Sequence, residues 1–194
     1  LAMGASSLRE ISRCGCNLLC VTPLARWDVE AAALDLVGSS PEVASRVRQG
    51  GFLRDAQLFE HVLFSIQAPE AAAMDPQQRQ LLEYGYLALR MAGYSKVSLL
   101  GAVVAVNVGQ WASEFGSVLL GTPAGRSVYA STGFSCSVTC GRVSFVLGVQ
   151  GPCTSYDTAC SASLVANHGS VCALHRKECA TALSAGVNMI LDPA

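Results

Sequence analysis

Residues 152–191 constrain the fold more than any other part of the chain. PCTSYDTA reads as a short strand, SASLVANHGSVCALHRKE as a long helix and ATALSAGVNMIL as a second strand. Upstream, LLGAVVAVNVG at 99–109 is short, apolar and β-branched, which suits a strand buried on both faces of a parallel sheet. Between 74 and 94, MDPQQRQLLEYGYLALRMAGY carries the signals of a helix. Asp75 is an N-cap, Pro76 fits the first helical position, Leu81, Leu82, Leu89 and Met91 supply apolar bulk, and Gly93 closes it. Helices alternating with buried strands predict an α/β layer on a parallel or mixed sheet.

The rest of the chain is less regular. A short helix is expected at 8–13. The segment 14–52 reads mostly as loop, with a turn of helix in DVEAAALD. WASEFGSVLLGTPAGRSVYASTG is turn-rich and reads as a flap or surface excursion. In VTCGRVSFVLG, Val138, Val143, Val146 and Leu147 recur at near-helical spacing and Gly148 is placed to end the helix. No internal repeat or low-complexity segment is visible.

Composition removes several function classes. The 13 Lys and Arg balance 14 Asp and Glu, and no basic block stands out, so nucleic acid is excluded as an expected partner. No apolar run approaches the ~18 residues of a membrane span. Nine cysteines at irregular spacing do not form a disulfide framework, which points to a reducing compartment, the cytoplasm. CGCNLLC at 14–20 offers three cramped thiols and no fourth ligand, so no metal site is expected there.

The residue whose placement invites chemistry is Cys160, in DTACSAS, where a strand gives way to a helix among small neighbours. A helix N-terminus carries unpaired N–H groups and partial positive charge, which stabilise a thiolate relative to the thiol. The same N–H groups, that of Cys160 included, could receive an oxyanion formed on an attacked thioester carbonyl. Free cysteine is also among the most buried residue types, so position alone leaves Cys160 as either a nucleophile or a core filler. A base is not evident. His168 and His175 lie roughly 12 and 22 Å along the following helix at ~1.5 Å rise per residue, and His61 stands in no motif. All three read as structural, the helix histidines sharing one face with Leu164, Val165, Val171 and Cys172.

Taken together, TPLARWD at 22–28, GGFLRDAQLFE at 50–60, EAAAMDPQQRQLLE at 70–83, CGRVSFVLGVQGP at 140–152, DTACSASLVANH at 157–168 and ECATALSAGVNMIL at 178–191 resemble, in the same order, the β-ketoacyl synthase (ketosynthase) domains of polyketide synthases. The resemblance implies a thiolase-like fold of α-β-α-β-α layers, of which residues 1–194 would be the N-terminal part of one ketosynthase domain. On this expectation both ends are cut, the first strand and the C-terminal half are missing, and a mixed sheet of the five-stranded type is present in incomplete form. It also implies that Cys160 is the active-site cysteine, acylated from an acyl carrier protein before decarboxylative condensation with a malonyl-type extender. No metal or bound cofactor is implied, because phosphopantetheine arrives on the carrier protein. The complete domain is expected to be a homodimer.

The resemblance places the missing base elsewhere. The family's two active-site histidines lie in His-Gly-Thr and Asn-x-Gly-His motifs that do not occur here, so this chain alone is expected not to condense. Ala162 replaces the middle of three serines that usually follow the cysteine, a small-for-small change. The helix after MDPQQR reads EYGYLALR instead of the usual Trp- and Glu-containing segment, and its interior Gly85 costs ~1 kcal/mol relative to Ala. Two other readings stand beside a polyketide ketosynthase: the condensing enzyme of fatty-acid synthesis, which usually lacks MDPQQR, and a silent dimer partner, which retention of Cys160 opposes. Cys136 and Cys140, one helical turn apart, read as core packing, Cys153, Cys172 and Cys179 as small fillers, and Asp157 as a turn-stabilising carboxylate.

Overall fold

The computed structural model describes residues 5–31, 42, 48–53, 55–111 and 114–191. The chain forms two compact units, Leu1–Ala56 with Ile190–Ala194, and Gln57–Met189. In the first, helix α1 (Ala5–Cys14) extends the helix expected at 8–13, and strands β1 (Cys20–Val21) and β2 (Gln49–Gly50) pair antiparallel. Asp28 Oδ1 accepts from Glu30 N and Ala31 N, capping a helical start at 29–31. The other residues of the expected turn, 32–35, lie outside the described residues. Trp27 meets Phe52 edge-on at 5.8 Å between ring centroids.

The second unit is an α/β layer. A 3-10 turn (His61–Phe64) and α2 (Ala68–Ala73) lead into α3 (Pro76–Met91). There follow α4 (Lys96–Leu99), β3 (Val104–Gln110), α5 (Phe115–Leu120), a 3-10 turn (Pro123–Arg126), α6 (Ala130–Gly133) and α7 (Cys136–Leu147). The unit closes with β4 (Cys153–Tyr156), a 3-10 turn (Ala159–Ser161), α8 (Ala162–His175) and β5 (Thr181–Val187). Among the described residues its sheet has three strands in the order β4-β3-β5, all parallel.

Strand alternation on β3 sorts the two helix layers. Val104, Val106 and Val108 enter the main apolar cluster with Leu82 and Leu89 of α3, Cys140, Val143 and Leu147 of α7, and Leu183 of β5. Ala105, with Ala173 and Cys179, belongs to a second cluster on the opposite face, where Asn107 Nδ2 donates to Ser170 Oγ of α8 at 2.9 Å. Helices therefore cover both faces of β3, which is wholly buried as its apolar run predicts. Each fully buried valine contributes roughly 1.5–3 kcal/mol.

Four local expectations are corrected. The strand begins at Val104 and not at 99, because a Ser95/Ser98 capping box starts a helical turn that ends at Leu99, and Gly101 turns the chain at φ +75°. The expected flap after Trp111 contains α5, a 3-10 turn and α6. On α8 the buried stripe is Ala162, Ala166, Ser170 and Ala173, whereas Leu164, Val171, His168 and His175 are exposed. A helix drawn close to a sheet needs small residues beneath it, so the larger apolar residues lie on the outer face. Met91, expected to add bulk to α3, is 82% exposed.

MDPQQR is a structural plug. Asp75 is fully buried, its Oδ1 accepts from Gln77 N at 2.7 Å and its Oδ2 from Gln77 Nε2 at 3.1 Å. Its own N–H donates to Gly133 O at 2.8 Å, and Gln78 Nε2 donates to Thr132 O at 3.2 Å. Arg79 Nε donates to Met74 O at 2.9 Å; burial lowers its pKa, opposed by Asp75. Arg142 of α7, 8% exposed, pairs with Glu70 of α2 at 2.5 Å.

Candidate active site

Cys160 sits at the tip of the turn between β4 and α8, and its side chain is exposed. The turn is held by its own sequence. Asp157 Oδ1 accepts from Ala159 N at 3.3 Å, and Ser161 Oγ donates to Thr158 O and bonds Thr158 Oγ1 at 2.8 and 2.9 Å. Ser161 N donates to Thr158 O, and Ala162 N to Ala159 O. Neither of these two backbone bonds uses the Cys160 N–H. Ala159 adopts φ +51°, a left-handed conformation that costs a non-glycine residue ~1–2 kcal/mol. The Asp157, Thr158 and Ser161 bonds hold it there, so Asp157 has the turn-stabilising role expected of it.

Two glycines allow α8 to approach the sheet. Gly109 of β3 and Gly186 of β5 are register partners beneath the first turn of the helix. A Cβ on Gly109 would lie 2.4 Å from Ala162 C, and one on Gly186 2.5 Å from Ser163 Cβ. Sequence reasoning passed over both, although a glycine inside a strand pattern is a signal of close approach. The helix N-terminus that follows Cys160 is thus seated directly on the strand ends.

Here a cleft of about 480 Å³ opens, lined by Cys160, Ser163, Gln110, Trp111, Val187 and Asn188 among others. Its floor is the glycine pair and its rim includes the half-exposed Trp111. A second thiol lies beside it: Cys136 Sγ donates to Trp111 O at 3.8 Å. Burial, then the charges of Asp157 and Asp75, push the Cys136 pKa up and keep that thiol protonated. The described cleft lining therefore offers one accessible sulfur, that of Cys160.

The histidines lie elsewhere. His168 Nε2 is 3.4 Å from Cys172 Sγ one turn along α8, His61 Nδ1 is 2.7 Å from Ile66 O, and His175 occupies the last turn of α8. None lines the cleft. Among the described residues no cluster of His, Cys, Asp and Glu could hold a metal ion, and no helix is long and apolar enough to cross a membrane. Cys14, Cys16 and Cys20 are all exposed. Cys140 and Cys179 are buried, as core fillers should be, but Cys153 is exposed and accepts from Ser144 Oγ at 3.3 Å.

An exposed thiol on a strained strand-to-helix turn, opening onto a cleft beside paired glycines, is an arrangement suited to covalent acyl transfer. The family model of the β-ketoacyl synthase N-terminal domain matches residues 16–194, and the chain belongs to that family. It is 40% identical over 192 residues to a phenolphthiocerol/phthiocerol polyketide synthase of Mycobacterium tuberculosis, covering 98% of this chain and 12% of the relative. It is 42% identical over 169 residues to the pikromycin polyketide synthase component PikAII of Streptomyces venezuelae, covering 86% and 4%. The chain thus spans only a small part of the length of these relatives. Among solved structures, the ketosynthase from module 6 of the bacillaene synthase of Bacillus subtilis 168 superposes with a TM-score of 0.81 at 31% identity, over 97% of this chain and 30% of that one. The Streptomyces albus oxazolomycin ketosynthase domain gives 0.79 at 28%, over 97% and 33%. The fold is the thiolase-like one that the sequence motifs imply.

Proposed function

We propose that this chain carries the acyl-accepting half of a β-ketoacyl synthase active site in polyketide assembly, with Cys160 as nucleophile. The observation that carries this reading is the exposed Cys160 thiol on the strained turn, preceding a helix N-terminus and opening onto the cleft. In the first half-reaction the Cys160 thiolate attacks the thioester carbonyl of an acyl chain delivered by an acyl carrier protein. The oxyanion forms near the Cys160 N–H and the start of α8, and collapse expels the carrier's thiol, leaving the acyl group on sulfur. In the second, a malonyl-type thioester loses carbon dioxide, its carbanion attacks the Cys160 thioester, and the β-ketoacyl product departs as the Cys160 thiolate is regenerated.

Covalent storage divides one difficult carbon–carbon bond formation into two steps. No histidine lines the cleft, so proton handling in the second step falls to residues outside this chain, and the chain alone takes an acyl group without condensing it. The partners are an acyl carrier protein and, in the complete domain, a second copy; the reaction needs no metal, and the location is cytoplasmic. An electrophilic acyl analogue should label Cys160 ahead of the other eight cysteines, as read by peptide mass mapping. Uniform labelling, or labelling unchanged in Cys160→Ala, overturns the assignment.

A further inference from the structure

Gln110 ends strand β3 and is 2% exposed. Neither the nitrogen nor the oxygen of its side-chain amide has a hydrogen-bond partner. A buried donor or acceptor left unpaired forfeits the bond it would make to water, so the fold holds this amide at a cost in stability. Other buried side chains with an orphaned atom are partly satisfied: Gln77 Nε2 donates to Asp75, Gln78 Nε2 donates to Thr132 O, and Arg142 pairs with Glu70. Ser127 is not part of the cleft lining. Among the described residues, Gln110 alone combines a wholly unpaired amide with a place in the cleft that holds Cys160. Gln110 and Val187 are register partners at the C-terminal ends of β3 and β5, and both line the cleft one residue beyond the glycine pair. Ser163 and Asn188, also in the lining, are exposed, so water satisfies them. The Gln110 amide is closed to water, and a turn of its flexible stem is what presents it to a chain in the cleft.

We propose that Gln110 is a specificity-determining residue that selects acyl chains bearing a hydroxyl group over fully saturated ones. The inference rests on the reading of Cys160 as the acyl acceptor. An amide presents N–H donors and a carbonyl acceptor together, and a single hydroxyl answers both, donating to Gln110 Oε1 and accepting from Gln110 Nε2. A methylene answers neither. The chain carried on Cys160 Sγ crosses Gly109 and Gly186, and its hydroxyl pairs the Gln110 amide at the strand ends. Apolar walls such as Trp111 and Val187 give contact area with little discrimination, whereas a polar group that needs a partner penalises the analogue that lacks one. The resulting preference is about 10- to 100-fold.

The intact protein is offered the hexanoyl, 3-hydroxyhexanoyl and 5-hydroxyhexanoyl thioesters of N-acetylcysteamine, and acylation of Cys160 is timed by intact mass. A hydroxylated chain should transfer at least about tenfold faster than hexanoyl. Gln110→Met keeps the length of the side chain and removes the amide; it should bring that ratio near one and melt no lower than the parent. Gln110→Leu repeats the test with a different apolar shape. Equal rates for all the chains in the parent overturn the proposal, and so does a preference that survives in both variants. Melting of both variants well below the parent also overturns it, because the amide would then be paired within the fold. If no thioester labels Cys160, the acyl-acceptor reading fails and the inference with it; labelling without preference removes the inference alone.

Discussion

Gly109→Ala tests how tightly the site is built. The new Cβ would lie 2.4 Å from Ala162 C and 2.5 Å from both Ala162 O and Ser163 N, all backbone atoms of the turn that follows Cys160. Carbon atoms rest comfortably at ~3.5–4.0 Å, so the first turn of α8 must retreat by roughly 1 Å. No flexible side chain is available to absorb the shift. Overpacking of this kind costs ~1–3 kcal/mol, which lowers the unfolding midpoint by ~2–4 °C per kcal/mol in a chain of this size. A ~1 Å displacement of a reacting group costs up to ~100-fold in rate. Acylation of Cys160 by a small acyl thioester, followed by intact mass, should therefore slow far more than the modest loss of stability explains. Gly141, which has nothing within 4 Å of its added Cβ, is the control. If Gly109→Ala acylates and melts like the parent, the glycine floor does not set the position of Cys160.

Gly141→Ala should stabilise the protein by ~0.5–1 kcal/mol, since it removes a helix-interior glycine at no steric cost, and thermal melting reads the gain. Gly85→Ala on α3 should gain less, because its Cβ meets Leu183 Cδ2 at 3.1 Å; a gain equal to that of Gly141→Ala would show that Leu183 yields freely. Asp75→Ala removes the cap on Gln77 N and strands a buried amide, a loss of ~2–4 kcal/mol in denaturant unfolding. Glu70→Ala leaves Arg142 without its carboxylate and should cost ~2–3 kcal/mol, less than the ~3–5 of a fully buried pair because the Glu70 side chain is 25% exposed.

What the sequence made legible followed chemistry that is local. The Asp75 cap with Pro76 defined α3, and Gly148 at φ +70° ended α7 where expected. Motif order identified the family and singled out Cys160. Features set by packing between distant segments were not legible. The buried face of α8 was misassigned because its small residues, chosen for proximity to the sheet, look neutral beside Leu164 and Val171. Gly109 and Gly186 acquire meaning only when register places them side by side under Ala162 and Ser163. The left-handed Ala159 carries no glycine to announce it, and Cys153 reads as a core filler although it is exposed and accepts from Ser144 Oγ. Gly85 shows the same limit: its propensity cost is readable from sequence, but the Leu183 methyl that offsets the gain from Ala is not.

Transfer of an acyl group from a loaded acyl carrier protein to the intact protein, followed by intact mass and peptide mapping, tests Cys160 as the acyl acceptor. One acyl group per chain is expected, held as a thioester on the peptide containing Cys160 and lost in Cys160→Ala. An acyl group that fails to transfer, or that still transfers to Cys160→Ala, would contradict it.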